Sequence, residues 1–183
     1  DALKSLTKPL FLFIAFCMLL SASTELGTTQ RIESLLRETG VNALLILAFI
    51  NGIMIFGRAF AGPIATKINT TGMLFASSIF AFIGLQMLAN TEVFNVFLAA
   101  SVFAIGITFF WPTTLAYISE NIPESGALGM SIIGGLGMLS VSLILPLMGR
   151  FLDDSISTDV IQTISVLPFI LIILYGILYL KQR

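Results

Sequence analysis

The spacing of charge sets the tightest limit on this chain. Its few charged residues stand in clusters. Between the clusters lie apolar runs, each close to the ~20 residues a helix needs to cross the hydrocarbon of a bilayer. Six such runs can be marked, at residues 9–28, 42–64, 72–89, 93–119, 127–149 and 160–180. None alternates apolar with polar residues, which argues against a β-barrel. The connections are short, so consecutive helices should be antiparallel neighbours. The expected fold is an all-α membrane protein of six transmembrane helices. Composition agrees: charged residues are 10 % of the 183, hydrophobic residues are 57 %, and mean hydropathy is +1.02. A soluble domain carries about 25 % charged residues.

The residue inventory removes much chemistry. There is no histidine, which excludes Ser-His-Asp and Cys-His catalysis, haem held by an axial histidine, and most zinc sites. Cys17 is the sole cysteine, so no disulfide forms within the chain. Net charge is −1 and no basic cluster is available to hold nucleic-acid phosphates. No cofactor is implied. The chain begins at Asp1 rather than methionine, and the expectation is a segment of a longer protein.

Orientation follows from lysine and arginine, which favour the cytoplasmic side. With six crossings both ends share a side, which carries Lys4, Lys8, Lys67, Lys181 and Arg183. The other side carries Arg31, Arg37 and Arg150, with Glu33, Glu38, Glu92, Asp153, Asp154 and Asp159. Both termini are therefore expected in the cytoplasm, in a plasma or bacterial inner membrane. The loop with Glu120 and Glu124 runs against this, since it should be cytoplasmic and has no basic residue.

Several polar residues interrupt the apolar runs. Glu25 lies about 24 Å into the first span at 1.5 Å per residue. Cys17, Ser21, Glu25 and Thr28 step by four, four and three, so they share one helical face. A carboxylate in hydrocarbon costs roughly 2.5–3.5 kcal/mol and usually faces the bundle interior. Glu25 then either lines a cavity, carrying a proton or accepting a hydrogen bond from a ligand, or sits solvated among the outer headgroups. Asn51 and Arg58, seven residues apart, share a face of the second span. Asn51 can meet a ligand or bond to a neighbouring helix. Arg58 lies near the inner end of its span, where it either snorkels or pairs with an acid, Glu120 or Glu124. The fourth span carries Trp111 and Pro112. The proline removes a backbone hydrogen bond and loosens the helix. Trp111 serves either as a platform for an organic ligand or as an interfacial belt residue. Ala100, Ala104 and Thr108 make a small-residue face on the same span. In the fifth, Ala127, Ser131 and Gly135 recur every four residues and permit close helix approach, while Gly134 and Gly137 add bending freedom. That glycine cluster is no phosphate loop, because no strand precedes it and no Gly-Lys-Ser/Thr follows.

Together these features resemble the C-terminal six-helix half of a major facilitator superfamily transporter. The segment GPIATKIN, Gly62 to Asn69, is similar to a degenerate copy of that family's cytoplasmic signature, matching at Gly62, Ala65 and Lys67. It departs at Thr66, where the family commonly has Asp, at Asn69, where it has Gly, and at Thr70 and Thr71, which replace a basic pair. A proline-bearing fourth helix ending in SENIPE, followed by a glycine-rich fifth, is also similar. STELG loosely resembles the sugar-permease branch, fucose-permease-like members included. The resemblance implies helices seven to twelve of a twelve-helix bundle, with the N-terminal half of the same protein as partner and the site near the midplane between inverted repeats. It implies that the first, second, fourth and fifth helices line the cavity, with Glu25, Asn51 and Trp111 as substrate or proton-coupling residues. Arg58 and Glu120 are then a cytoplasmic gating pair. The implied activity is secondary transport of a small polar organic solute, sugars included, by alternating access. Proton coupling, sodium coupling and uniport are all compatible with these residues. The rival is a non-transporting six-helix sensor or assembly subunit. A membrane enzyme is a weaker third option, given the absent histidine.

Overall fold

The computed structural model describes residues 2–30, 32–36, 40–65, 67–90, 95–154 and 157–182. Asp1, Arg31, Arg37, Glu38, Thr66, Glu92 and Arg183 lie outside the described residues, as do the side chains of Ala65, Asp153, Asp154 and Asp159. The regular elements among the described residues are all helical. A short α1 (Ala2–Leu6) leads into α2 (Pro9–Gln30), followed by α3 (Ile32–Leu35), α4 (Ala43–Ala59) and α5 (Ala61–Ala65). Then come α6 (Thr70–Ala89), α7 (Val96–Thr108), α8 (Phe110–Asn121), α9 (Gly126–Asp154) and α10 (Ser157–Gln182).

Asparagine starts three of these helices. The side chains of Asn42, Asn69 and Asn95 accept from the backbone N–H groups of Leu44, Gly72 and Phe97 at 3.0, 2.8 and 2.8 Å. Each satisfies a donor that the first helical turn leaves open.

Among the described residues, five stretches are long and apolar enough to cross a membrane: Pro9–Gln30, Thr70–Ala89, Val96–Asn121, Pro123–Leu143 and Val160–Gln182. The second expected crossing is shorter than its apolar run. α4 has 17 residues, about 25 Å at 1.5 Å per residue, against ~30 Å of hydrocarbon. Its early end has a local cause. Pro63 has no N–H to give the carbonyl of Ala59, and the chain turns at Phe60, whose N–H bonds back to Gly57 at 3.2 Å. The run to residue 64 is therefore two helices, α4 and α5.

Large apolar side chains cover much of the outside, and several polar ones are buried within the apolar core, as suits a chain surrounded by lipid. Phe16, Phe80, Ile105, Phe169, Ile173 and Ile177 are exposed, whereas Ser21, Thr24, Glu25, Thr28, Ser78, Thr108 and Thr114 are buried. Many of the hydroxyls bond to a carbonyl of their own helix, as in Thr24 to Leu20 at 2.9 Å and Ser78 to Phe75 at 2.7 Å. Such back-bonding lets a hydroxyl sit in an apolar bundle without a partner on another helix.

The packing has an exchange pattern. Treating α7 and α8 as one crossing gives two three-helix units, α2–α4–α6 and α7/α8–α9–α10. α6 packs against α10. α6 also packs on α7 as α10 packs on α2, and α4 packs on α7 as α9 packs on α2. These pairs exchange when the units are swapped, whereas the α8–α9 and α9–α10 contacts have no counterpart of similar extent in the first unit. The α6–α7 seam is the tightest: a Cβ on Gly84 would lie 2.4 Å from Phe103 Cα, and one on Gly106 would lie 2.2 Å from the Ala81 nitrogen. Only glycine permits that approach.

Candidate functional site

The site begins with a proline. Pro112 sits in the first turn of α8 and has no N–H. The residue four back is Thr108, so its carbonyl lacks the usual helical partner, and the crossing breaks at Phe109 between α7 and α8. Arg58 fills the gap: its Nε donates to the Thr108 carbonyl oxygen at 3.1 Å. Gly57 lets α4 come close enough, since a Cβ there would meet Thr108 Cγ2 at 2.6 Å. The Gly-Arg pair near the end of α4 is thus fitted to a defect in the fourth crossing.

The same guanidinium holds Glu25. Arg58 Nη2 lies 3.1 Å from Glu25 Oε1. Glu25 is buried, with a side chain only 7 % exposed, while that of Arg58 is 40 % exposed. Among the described residues α2 and α4 barely touch one another, so this ion pair is the principal link across their gap. The Trp111 indole approaches the carboxyl but completes no hydrogen bond to Oε2, which is left without a partner. Trp111 is wedged beside Gly137 and Met18, which fixes its ring between α9 and α2.

The pairing corrects one expectation. Arg58 does not meet Glu120. α4 rides alongside the N-terminal part of the fourth apolar stretch, with Phe49 against Phe97, ring centroids 5.4 Å apart, and Gly57 against Thr108. This places Arg58 near the middle of the 26-residue stretch Val96–Asn121 rather than at its C-terminal end. Glu120 lies twelve residues beyond Thr108 in the sequence, about 18 Å along the helix. There it accepts from Thr70 Oγ1 at 3.1 Å. Glu124, the other acid considered, pairs with Lys8 and ties the start of α2 to the turn before α9.

The remaining expected residues divide. Cys17, Ser21, Glu25 and Thr28 are all buried, so their stripe faces the interior and Glu25 is not solvated. Asn51 is not gathered with Glu25. It is exposed, donates to the Leu47 carbonyl at 2.9 Å, and lines an open depression of about 440 Å³ with Thr29, Gln30 and Glu33. The small-residue seam expected on the fifth helix faces outward. Ser131 and Gly135 are exposed, Gly134 is half-buried, and nothing lies within 4 Å of a Cβ on either glycine. The side of α9 that packs on α2 instead carries Gly129, Ile133, Gly137 and Ser140. α9 runs unbroken through all three glycines, so they do not interrupt it.

Two residues were not anticipated. Tyr175 of α10 and Thr114 of α8 are fully buried, and their hydroxyls have no hydrogen-bond partner among the described residues. Tyr175 approaches Thr114 and Ser21, forming a second polar cluster about one turn below Glu25. The i−4 rule at Pro112 would have located the Thr108 carbonyl. No sequence signal distinguishes Thr114 or Tyr175 from other residues of their apolar runs.

Comparison with known proteins gave no match to a protein family, a curated protein or a solved structure.

Proposed function

We propose that this chain is the C-terminal half of a secondary transporter of the major facilitator type, moving a small polar solute by alternating access. The observation that carries the reading is the Glu25–Arg58 pair. It is a charged pair at mid-depth, between two helices that otherwise barely touch, with one carboxylate oxygen unpartnered. Ionisable groups at such depth are costly and mark ligand or ion pathways. A purely structural bundle gains little from such a pair, because apolar packing of similar volume is often as stable. The partial exchange of neighbours between two three-helix units adds support, since sites in folds built of repeats lie where the repeats meet.

In this reading Glu25 binds a coupling proton or a donor group of the solute, and Trp111 forms one wall. The N-terminal half of the same protein covers the open side. A ligand shifts the conformational equilibrium only by its differential affinity for the two states. A link that spans the α2–α4 gap is placed to sense both. The test is uptake of a panel of radiolabelled polar solutes, sugars among them, into vesicles carrying the protein, with and without a proton gradient. Accumulation of at least one solute that depends on the gradient and vanishes in Glu25→Gln, while counterflow survives, is expected. Normal accumulation by that variant would remove Glu25 from the coupling step. No uptake of any solute by the folded protein would remove transport.

A further inference from the structure

We infer that the solute is an organic anion, held by Arg58 once Glu25 has taken up a proton. The inference rests on the reading of the α2–α4 gap as a solute site, and the argument is one of charge. Arg58 is anchored by Nε to a backbone carbonyl that Pro112 keeps free. That bond does not depend on the state of Glu25, so the guanidinium stays at mid-depth when the carboxylate is neutralised. A guanidinium remains charged under all conditions relevant here. Its side chain is 40 % exposed, whereas that of Glu25 is 7 % exposed, so the arginine is the accessible member of the pair. Only Nε and Nη2 are engaged by described residues. The other donors of the planar fork match the geometry of a carboxylate.

The charges then balance in two states only. With Glu25 ionised, the pair is neutral and the site is empty. With Glu25 protonated, Arg58 carries an uncompensated charge in a low-dielectric setting, and an anion restores neutrality. The proton has a place to go, since Oε2 has no partner. One proton and one anion are taken up together: the O–H of Glu25 is the one covalent bond formed, and the Nη2–Oε1 contact gives way to one between Arg58 and the anion. A neutral solute compensates nothing and gains nothing from the proton.

The groups around Glu25 leave this pairing undisturbed. α4 supplies Arg58 and α8 supplies the uncharged Trp111 indole, the two groups outside its own helix that bear on the carboxyl. α7 contributes the Thr108 carbonyl to Arg58. α9 and α10 bring no charged side chain to the carboxyl among the described residues. Cys17 and Tyr175, the next titratable groups, bear on one another further down α2.

The test is calorimetric titration of the purified protein with methanesulfonate, which stays ionised across the range, and with dimethyl sulfone, its neutral counterpart. Buffers of different ionisation enthalpy are used at pH 5.5 and 8. Methanesulfonate should bind roughly tenfold more tightly at the lower pH, within the span usual for coupled sites. At pH 8 its binding should take up about one proton per anion, as the pairing of one carboxylate with one guanidinium requires. Glu25→Gln should bind it at both pH values as the wild type does at pH 5.5, with no proton uptake. Arg58→Gln should lose binding, and Arg58→Lys should keep part of it. Equal binding of dimethyl sulfone, or anion binding indifferent to pH in the wild type, overturns the inference, and the wild-type result needs no variant to fold. Because binding is measured without translocation, solute uptake with no proton–anion linkage defeats this inference and spares transport. Linkage with no uptake of any solute does the reverse.

Discussion

Arg58 donates from Nε to the carbonyl oxygen of Thr108 at 3.1 Å, and that oxygen is free because Pro112 has no N–H to offer it. A helix defect on one element is closed by a cation from another. The cation then has its Nη2 edge free for Glu25 on a third. Depth, orientation and partner of Arg58 all follow from this one bond.

Removing one charge should therefore cost more than removing both. Arg58→Ala strands a buried carboxylate, and losing one partner of a buried pair costs about 3–5 kcal/mol. The 40 % exposure of the arginine side chain places the loss in the lower part of that range. Adding Glu25→Gln should recover most of it. Unfolding midpoints for the wild type, both single variants and the double variant measure the coupling. Strictly additive effects would show that the two side chains do not interact.

Gly57→Ala tests the approach of α4. The added methyl would meet Thr108 Cγ2 at 2.6 Å, so α4 must withdraw or Thr108 must turn. Overpacking of this kind costs about 1–3 kcal/mol, and withdrawal also lengthens the Arg58–Thr108 bond. A lower unfolding midpoint and faster amide exchange near the end of α4 are expected. An unchanged midpoint would mean that the contact is not tight.

Pro112→Ala should move the protein the other way. Alanine restores an N–H four residues after Thr108, which competes with Arg58 for the same oxygen. A restored backbone bond contributes about 0.5–1.5 kcal/mol, so the midpoint should hold or rise. Arg58 loses its anchor, however, and any proton-dependent activity should fall. Hydrogen exchange across residues 108–116 should slow as the break at Phe109 closes. Slower exchange with activity intact would show that the break serves no purpose in the site.

How far the sequence foretold this arrangement depends on the kind of signal. The crossings are marked by charge spacing, and five of them have the length that their apolar runs suggest. The burial of Glu25 follows from its place on the stripe with Cys17, Ser21 and Thr28, because helical periodicity is a local property. The partner of Arg58 is not local. Counting residues from the end of the apolar run puts it at the inner rim, but α4 stops at Ala59 and lies beside the N-terminal part of the fourth apolar stretch. No pattern within residues 42–64 encodes that offset. It comes from the fit of Gly57 against Thr108, fifty-one residues away. Asn51 differs again: it shares a helical face with Arg58, but two turns nearer the start of α4 it bonds to Leu47 of its own helix and lines an open depression with Thr29 and Gln30 of α2.

The two small-residue stripes of α9 supply the last test. Ala127, Ser131 and Gly135 step by four, and so do Gly129, Ile133 and Gly137. Periodicity alone cannot choose which of them faces the bundle. The structure puts the second set inside, with Gly137 against Trp111 and Met18. Gly137→Leu should therefore drive a side chain into the Trp111 wall, lowering the midpoint by about 1–3 kcal/mol equivalent and weakening solute binding. Ser131→Leu, on the exposed stripe, should leave the folding of the chain unchanged, because it loses only a hydroxyl bonded to the Ala127 carbonyl of its own helix at 2.8 Å. On the proposed reading, in which the exposed stripe meets an N-terminal half, Ser131→Leu should still reduce uptake while the midpoint holds. Thermal unfolding and uptake measured on the same two variants separate these effects. A drop in the midpoint for Ser131→Leu as large as for Gly137→Leu would reverse the assignment of the two faces.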